Sequence, residues 1–334
     1  MLQTTFVKSI GLCVLFVLVA CLIYCSLAMG QLSISFRAVW DVMNHYNAED
    51  TEHLVIATSR FARAMIALVL GMTLAVAGVL VQALTRNPIA APDLVGVNAG
   101  AIFFIVLAIT WLNIQSLAGY MWFGFLGAAL SGTAVFLLSS WGRDGLTPIK
   151  IILAGTALSA LFISFTQGLL VIDEQSIQTV LFWIAGSIAG RDLEMLLSVL
   201  PILCAALFIS LLLGKSMNVF SSGDDIAKGL GQRVGLLKIL MGILIVILAG
   251  GSIAIAGSIG FIGLIIPHVS KKLVGTDYRW VIPYAALLGS LLLLCADIAA
   301  RFIIMPQEVP IGVMTAIIGG PFFVYLVKRG VSKR

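Results

Sequence analysis

Charge is scarce in this chain: Asp, Glu, Lys and Arg supply 10% of its 334 residues, while 60% are hydrophobic. Soluble domains carry roughly 25% charged residues, so a water-soluble globular protein is excluded, and a mean hydropathy of +1.12 agrees. Histidine is scarcer still. Of the three, His45 and His53 stand in one polar stretch without metal-ligand spacing. There is no His-Glu-x-x-His pair and no nucleophile elbow, which argues against hydrolytic chemistry. The five cysteines, Cys13, Cys21, Cys25, Cys204 and Cys295, all fall in apolar segments. They form no disulfide or metal framework and read as small buried hydrophobes. No low-complexity linker is present, and no polar stretch is long enough to fold alone.

A nucleotide site is missing too. Gly214-Lys215-Ser216 matches the tail of a phosphate-binding loop, but that loop needs a glycine five residues earlier, where Ile209 stands, and a strand before it. The apolar segments also hold almost no ionisable groups, whereas ion-coupled carriers keep them near the membrane midplane. A transporter with neither relay nor nucleotide site needs a separate motor.

What remains is a series of about ten apolar segments: 9–29, 62–84, 96–112, 117–140, 149–171, 196–213, 236–256, 259–275, 281–304 and 311–327. Most reach the roughly 20 residues a bilayer span requires. The first is too long for a signal-peptide core and reads as a retained helix. With ten spans and both termini cytoplasmic, 15 of the 20 Lys and Arg lie inside, leaving Arg37, Arg60, Arg63, Arg191 and Arg301 outside. That positive-inside bias fixes the orientation. It also accounts for the net charge of +5 without nucleic acid. The expected fold is an all-α polytopic membrane protein forming one permease domain over 1–334, with an inner loop at 214–238.

Three stretches carry the organisation. Arg60 and Arg63, one helical turn apart, open the second span, which ends at Gln82 and the proline-stiffened loop Asn87-Pro88-Ile89-Ala90-Ala91-Pro92. In the inner loop, Ser221 lies three residues before Asp224, a helix-start pattern. A short helix is expected over 224–230, stopping at Gly231. It is either a docking element for a motor or a solvated connection between spans. Further on, Gly257, Gly260 and Gly263 allow close helix approach. Pro267 is expected to break the eighth span there, and His268 either satisfies a freed carbonyl or lines a gate.

Several of these residues match a family pattern. Gln82, Asn87-Pro88-Ile89-Ala90, Pro92, Val95-Gly96-Val97 and Gly100-Ala101 stand at the spacing of the FecCD permeases. So do Leu153-Ala154-Gly155 with Leu158-Ser159, the run from Gly260 to His268, and Ala296-Asp297, Ala300-Arg301 and Glu308-Val309-Pro310-Ile311-Gly312 with Thr315-Ala316. The sequence therefore resembles the membrane subunits of type II ABC importers for iron(III)-siderophores, haem and cobalamin. Ala62 departs from the family's proline and Ile89 from its leucine.

The resemblance implies a type II ABC importer permease fold, without catalysis or cofactor of its own, in the inner (plasma) membrane. The implied partners are ABC ATPase subunits, a second permease, and a periplasmic or lipid-anchored substrate-binding protein that docks on Arg60, Arg63 and Arg301. The loop residues Ser222, Gly223, Asp224, Asp225, Ala227, Leu230 and Gly231 would couple to the ATPase. Gln82, Asn87, Pro88, Gly260, Pro267 and His268 would line the path or its gate. The implied ligand is an iron(III)-siderophore or iron(III)-hydroxycarboxylate chelate, with cobalamin or haem as the alternative. An ion-coupled secondary carrier and a non-transporting scaffold are the readings from other classes.

Overall fold

The computed structural model describes the chain except residues 1, 3, 31, 33, 143–145, 173–176 and 332–334. Three of the cations used for orientation, Arg143, Lys333 and Arg334, therefore lie outside the described residues. The helices are α1 (Thr5–Ala28), α2 (Phe36–Asn44), α3 (Thr51–Val55), α4 (Phe61–Thr85), α5 (Val97–Thr110), α6 (Leu117–Ser140), α7 (Pro148–Ile172), α8 (Ile177–Ala185), α9 (Leu193–Leu212), α10 (Gly214–Ser221), α11 (Asp224–Gly229), α12 (Val234–Ala256), α13 (Ile262–Val274), α14 (Tyr278–Ala300) and α15 (Ile311–Val331). Each of the ten predicted segments is a helix. A π-helical turn over Ile56–Arg60 leads directly into α4.

Among the described residues, seven helices are long and apolar enough to cross a membrane, α4 among them, whereas α5 is only 14 residues and α13 only 13. Both are short because they start at depth. Gly263, at the head of α13, lies against Pro92 and the Leu74 carbonyl of α4. Leu74 is 11 residues from the end of α4, or about 16 Å at 1.5 Å per residue. The chain thus leaves α4 at Arg86, whose φ of 49° reverses it. It then climbs back through residues 87–91 to a 3-10 turn at Pro92–Val95 before α5 begins.

Backbone without helical partners is tolerated at that depth only when protein surrounds it. Here the breaks satisfy one another: Ser258 N–H donates to the Trp183 carbonyl (2.9 Å), Ser187 N–H to Ala256 (2.8 Å) and Gly312 N–H to Gly186 (3.0 Å). Glycine is needed at 257, where φ is 75° and a Cβ would lie 2.2 Å from the Trp183 oxygen. α8 is the element that hydropathy missed, since at 9 residues it only dips in and returns.

α4 is the central helix, with Ile66, Leu70, Val79 and Leu80 wholly buried against α12, α13 and α14. Its closest approach is at Gly78, where a Cβ would stand 2.0 Å from the Gly263 carbonyl oxygen. Gly78→Val is therefore expected to destabilise by more than the roughly 1–3 kcal/mol of ordinary overpacking. The measurement is the melting temperature of the purified protein, and an unchanged value would show that α4 and α13 separate freely.

Two local expectations are corrected. Pro267 does not break the eighth span, because α13 runs through it. The break lies before α13, at Gly257 and at Phe261 (φ 68°). The proline leaves the Gly263 carbonyl without its helical donor, and that oxygen abuts Gly78 instead. Ser221 does not cap the inner-loop helix either. Its hydroxyl donates to the Asn218 carbonyl at 2.7 Å, closing the unforeseen α10, while Gly223 (φ 119°) precedes α11 with no side-chain cap.

Candidate functional site

The two ends of α4 carry the polar chemistry. At the outer end, Arg60, Arg63 and Arg301 are brought together, as the sequence suggested, but they turn inward. Arg60 Nη1 donates to the carbonyls of Leu27 (2.8 Å) and Ala28 (2.6 Å), and its Nη2 to Leu32. Arg301 donates to the Ser26 and Met29 carbonyls, each at 2.8 Å, and to the Ser26 hydroxyl. The unsatisfied carbonyls that end α1 are thereby capped by cations, which also oppose its dipole. Asp297, with no exposed surface, accepts from Arg63 Nε at 2.6 Å and also pairs with Arg301. Arg63 reaches Glu308 as well. Among the three, Arg63 alone keeps part of its surface exposed.

At the inner end, Arg86 Nη2 donates to Asp224 Oδ1 (2.6 Å) and to the Phe220 carbonyl (2.9 Å), with its guanidinium 4.6 Å from the Phe220 ring centre. Lys238 of α12 donates to the other Asp224 oxygen (2.7 Å) and to the Leu146 carbonyl (3.0 Å). Burial pushes the Asp224 carboxyl up, but Lys238 and Arg86 outweigh it and hold the group below the usual carboxylate range. Asp224 is the first residue of α11, so α11 is pinned to the ends of both α4 and α12. α11 buries Ala227 and leaves Ile226 and Leu230 56% and 69% exposed. Ser222 and Gly223 precede it, exposed and half-buried, Asp225 is exposed within it, and the chain turns away at Gly231 as expected, where φ is 79°.

Between the ends lies a cavity of about 450 Å³ bordered by Asp93, Asn98, Ser159, Gln167 and Ser258. Asn98 Nδ2 donates to Ser258 Oγ (2.8 Å), while its Oδ1 is buried without a donor. Asp93 is the ionisable group that reading the spans missed, since it sits in the intramembrane turn between two of them. Gly260 borders Asp93 in a neighbouring small pocket. Gln82 has a structural contact: its amide donates to the Leu264 carbonyl and accepts from Lys271, both at 3.3 Å, tying α4 to α13. Asn87 caps its own turn by accepting from the Ile89 N–H (3.1 Å), and Pro88 beside it is exposed. His268 packs edge-on to Phe322 of α15 with ring centres 6.0 Å apart, and Pro267 is buried within α13.

Half-helices that meet at mid-depth, a polar cavity beside them and a pinned surface helix on the inner face are the architecture of a polytopic membrane permease. The chain belongs to the FecCD transport family, whose model matches residues 17–329. It is 50% identical over 320 residues to a Bacillus subtilis protein named "Probable siderophore transport system permease protein YfiZ", covering 96% of both chains. It is 41% identical to the Fe(3+)-citrate import system permease protein YfmD of the same organism, covering 89% of this chain and 86% of that one. A solved structure described as "an inward-facing conformation of a putative metal-chelate type ABC transporter" superposes with a TM-score of 0.84 at 32% identity, covering 96% of this chain and 99% of that one. The protein is thus a multi-pass permease subunit of an ABC importer in the inner (plasma) membrane, a class that works with an ATPase and a binding protein.

Proposed function

We propose that this permease carries an iron(III)-siderophore or iron(III)-hydroxycarboxylate chelate into the cytoplasm, in a complex of two permeases and two ATPases fed by a substrate-binding protein. The observation that carries the reading is that a single buried helix, α4, bears the arginine cluster at one end and the α11 anchor at the other. A rigid element of that kind links events on the two faces. The relatives named for siderophore and iron(III)-citrate transport support the ligand class.

In this reading the binding protein docks on the outer face over Arg60, Arg63 and Arg301. Arg63 meets it, and the buried Arg60 and Arg301 keep the platform rigid. The ATPase receives α11 through the exposed Ile226 and Leu230, since exposed apolar side chains outside the membrane mark an interaction surface. The chelate passes the Asp93–Ser258 cavity, with the segments at Asn87-Pro88 and Gly260 to His268 moving beside it. Catalysis stays with the ATPase.

The test is import of radiolabelled iron(III)-chelate into proteoliposomes holding the permease with its ATPase and binding protein. ATP-dependent uptake that requires the binding protein is expected. Uptake driven by a proton gradient without ATP would overturn the mechanism. Uptake of cobalamin or haem in place of iron chelates would overturn the ligand assignment.

A further inference from the structure

Two outer arginines, Arg37 and Arg191, stand outside the docking cluster, and of these Arg37 is exposed while Arg191 is buried. It lies in the loop joining α8 to α9 and is 8% exposed. Its guanidinium stacks on the Trp183 ring, 4.1 Å from the centroid. Trp183 is in turn held edge-on by Tyr120 at 6.2 Å and through its carbonyl by Ser258. Arg60, Arg63 and Arg301 are each supplied with acceptors. Arg191 forms no hydrogen bond or ion pair among the described residues, and its Nε is buried with nothing to receive it. Its neighbour Asp192 is exposed and outside ion-pair distance.

Burial lowers the Arg191 pKa to about 10, and the nearby Asp192, outside ion-pair distance, offsets only part of the effect. An unpaired cation held that far from water is costly unless a partner completes it. The guanidinium borders an outer-face pocket of about 210 Å³ formed with Thr58, Ser59, Arg63, Gly190 and Asp192. Small-molecule sites are commonly 300–1,000 Å³, so this one is too small for a whole chelate, though it accommodates one carboxylate side chain. Guanidinium and carboxylate match as a planar, bidentate pair. The pocket also adjoins Arg63, the exposed edge of the cluster.

We propose that Arg191 is a docking residue: with Ser59 and Arg63 it receives an Asp or Glu side chain of the substrate-binding protein. This rests on the docking reading above and adds a contact outside the three arginines the sequence pointed to. The other occupants of such a site are an oxyanion of the chelate and a lipid phosphate.

The experiment uses the complete permease–ATPase complex in lipid nanodiscs, in anionic and in neutral lipid, with the binding protein that stimulates its ATP hydrolysis. Affinity for loaded and for empty binding protein is measured against salt. Arg191→Gln is expected to weaken both about ten-fold or more and to flatten the salt dependence, while Arg191→Lys retains most of the affinity. Ser59→Glu, an exposed change at the rim that supplies a competing carboxylate, is expected to weaken binding similarly. It keeps the test open if Arg191→Gln fails to assemble.

Wild-type affinity in both variants would overturn the proposal. So would a loss confined to the loaded form, which would make the chelate the occupant. A loss seen only in anionic lipid would do the same in favour of a lipid phosphate. A wild-type complex that binds no binding protein would overturn the docking reading itself, a result distinct from unchanged binding in the variants.

Discussion

Asp297→Ala is expected to be among the most destabilising single changes in the protein, costing about 3–5 kcal/mol. The carboxylate is wholly buried and joins two cations, Arg63 from α4 and Arg301 one turn further along α14. Removing it leaves two guanidinium groups shielded from water, with Glu308 the remaining acid in the cluster. Arg301 would then hold only the Ser26 and Met29 acceptors at the end of α1. Glu308→Ala is expected to cost less, because its side chain is 25% exposed and water replaces part of what is lost.

A double-mutant cycle separates the pair from its surroundings. Asp297→Ala with Arg301→Ala is expected to be less damaging than the sum of the single changes, since the stranded charge leaves with its partner. The readout is thermal unfolding of the purified protein in detergent. Additive losses would mean that Asp297 and Arg301 act independently despite their contact.

The sequence disclosed this cluster unevenly. Arg60, Arg63 and Arg301 stand out as cations beside apolar segments, and Asp297 with Arg301 reads as an i,i+4 pair. Nothing in the one-dimensional pattern says that α14 lies against α4, so the inward turn of all three arginines was not legible. The ten helices were visible because hydropathy reports composition over a span-length window. Depth is invisible to the same measure, and so α5 read as an ordinary span, the interruption at α13 was placed at Pro267 instead of ahead of the helix, and α8 was overlooked.

Asp93 was missed for a related reason. It falls in a loop between apolar runs, and only the climb of residues 87–91 carries it into the membrane. Pro267 was misread because a proline removes one donor without dictating where the chain turns, and the left-handed backbone at Phe261 had already made the break. Arg191 carried the weakest signal, one cation in an outer loop. Its isolation emerges only when Trp183 is seen beneath it.

On the inner face, Asp224→Ala is expected to lower the amount of chelate imported per ATP hydrolysed by about ten-fold or more, with the nucleotide chemistry itself retained. Asp224 is the attachment of α11 to the body of the permease, with one oxygen on Arg86 at the foot of α4 and the other on Lys238 of α12. Without it, the short α11 is left to Ala227 packing and its backbone, and movement of the ATPase would turn α11 without dragging α4. Removing 224–230 altogether is expected to be more severe.

Arg86→Ala is expected to be worse than Lys238→Ala, because Arg86 also holds the Phe220 carbonyl and stacks closely on its ring, whereas Lys238 stands 5.9 Å from that ring centre. The pH dependence follows from the sign of the Asp224 shift. A depressed carboxyl contributes fully above its ordinary value of about 3.9 and loses that contribution only as pH falls through its lower folded-state value. The coupling ratio should therefore not vary between about pH 5 and 8 on account of this group, since that range lies above the carboxylate values. Transport per ATP in proteoliposomes is the measurement, and a wild-type ratio in Asp224→Ala would mean that α11 is driven through contacts other than this clamp.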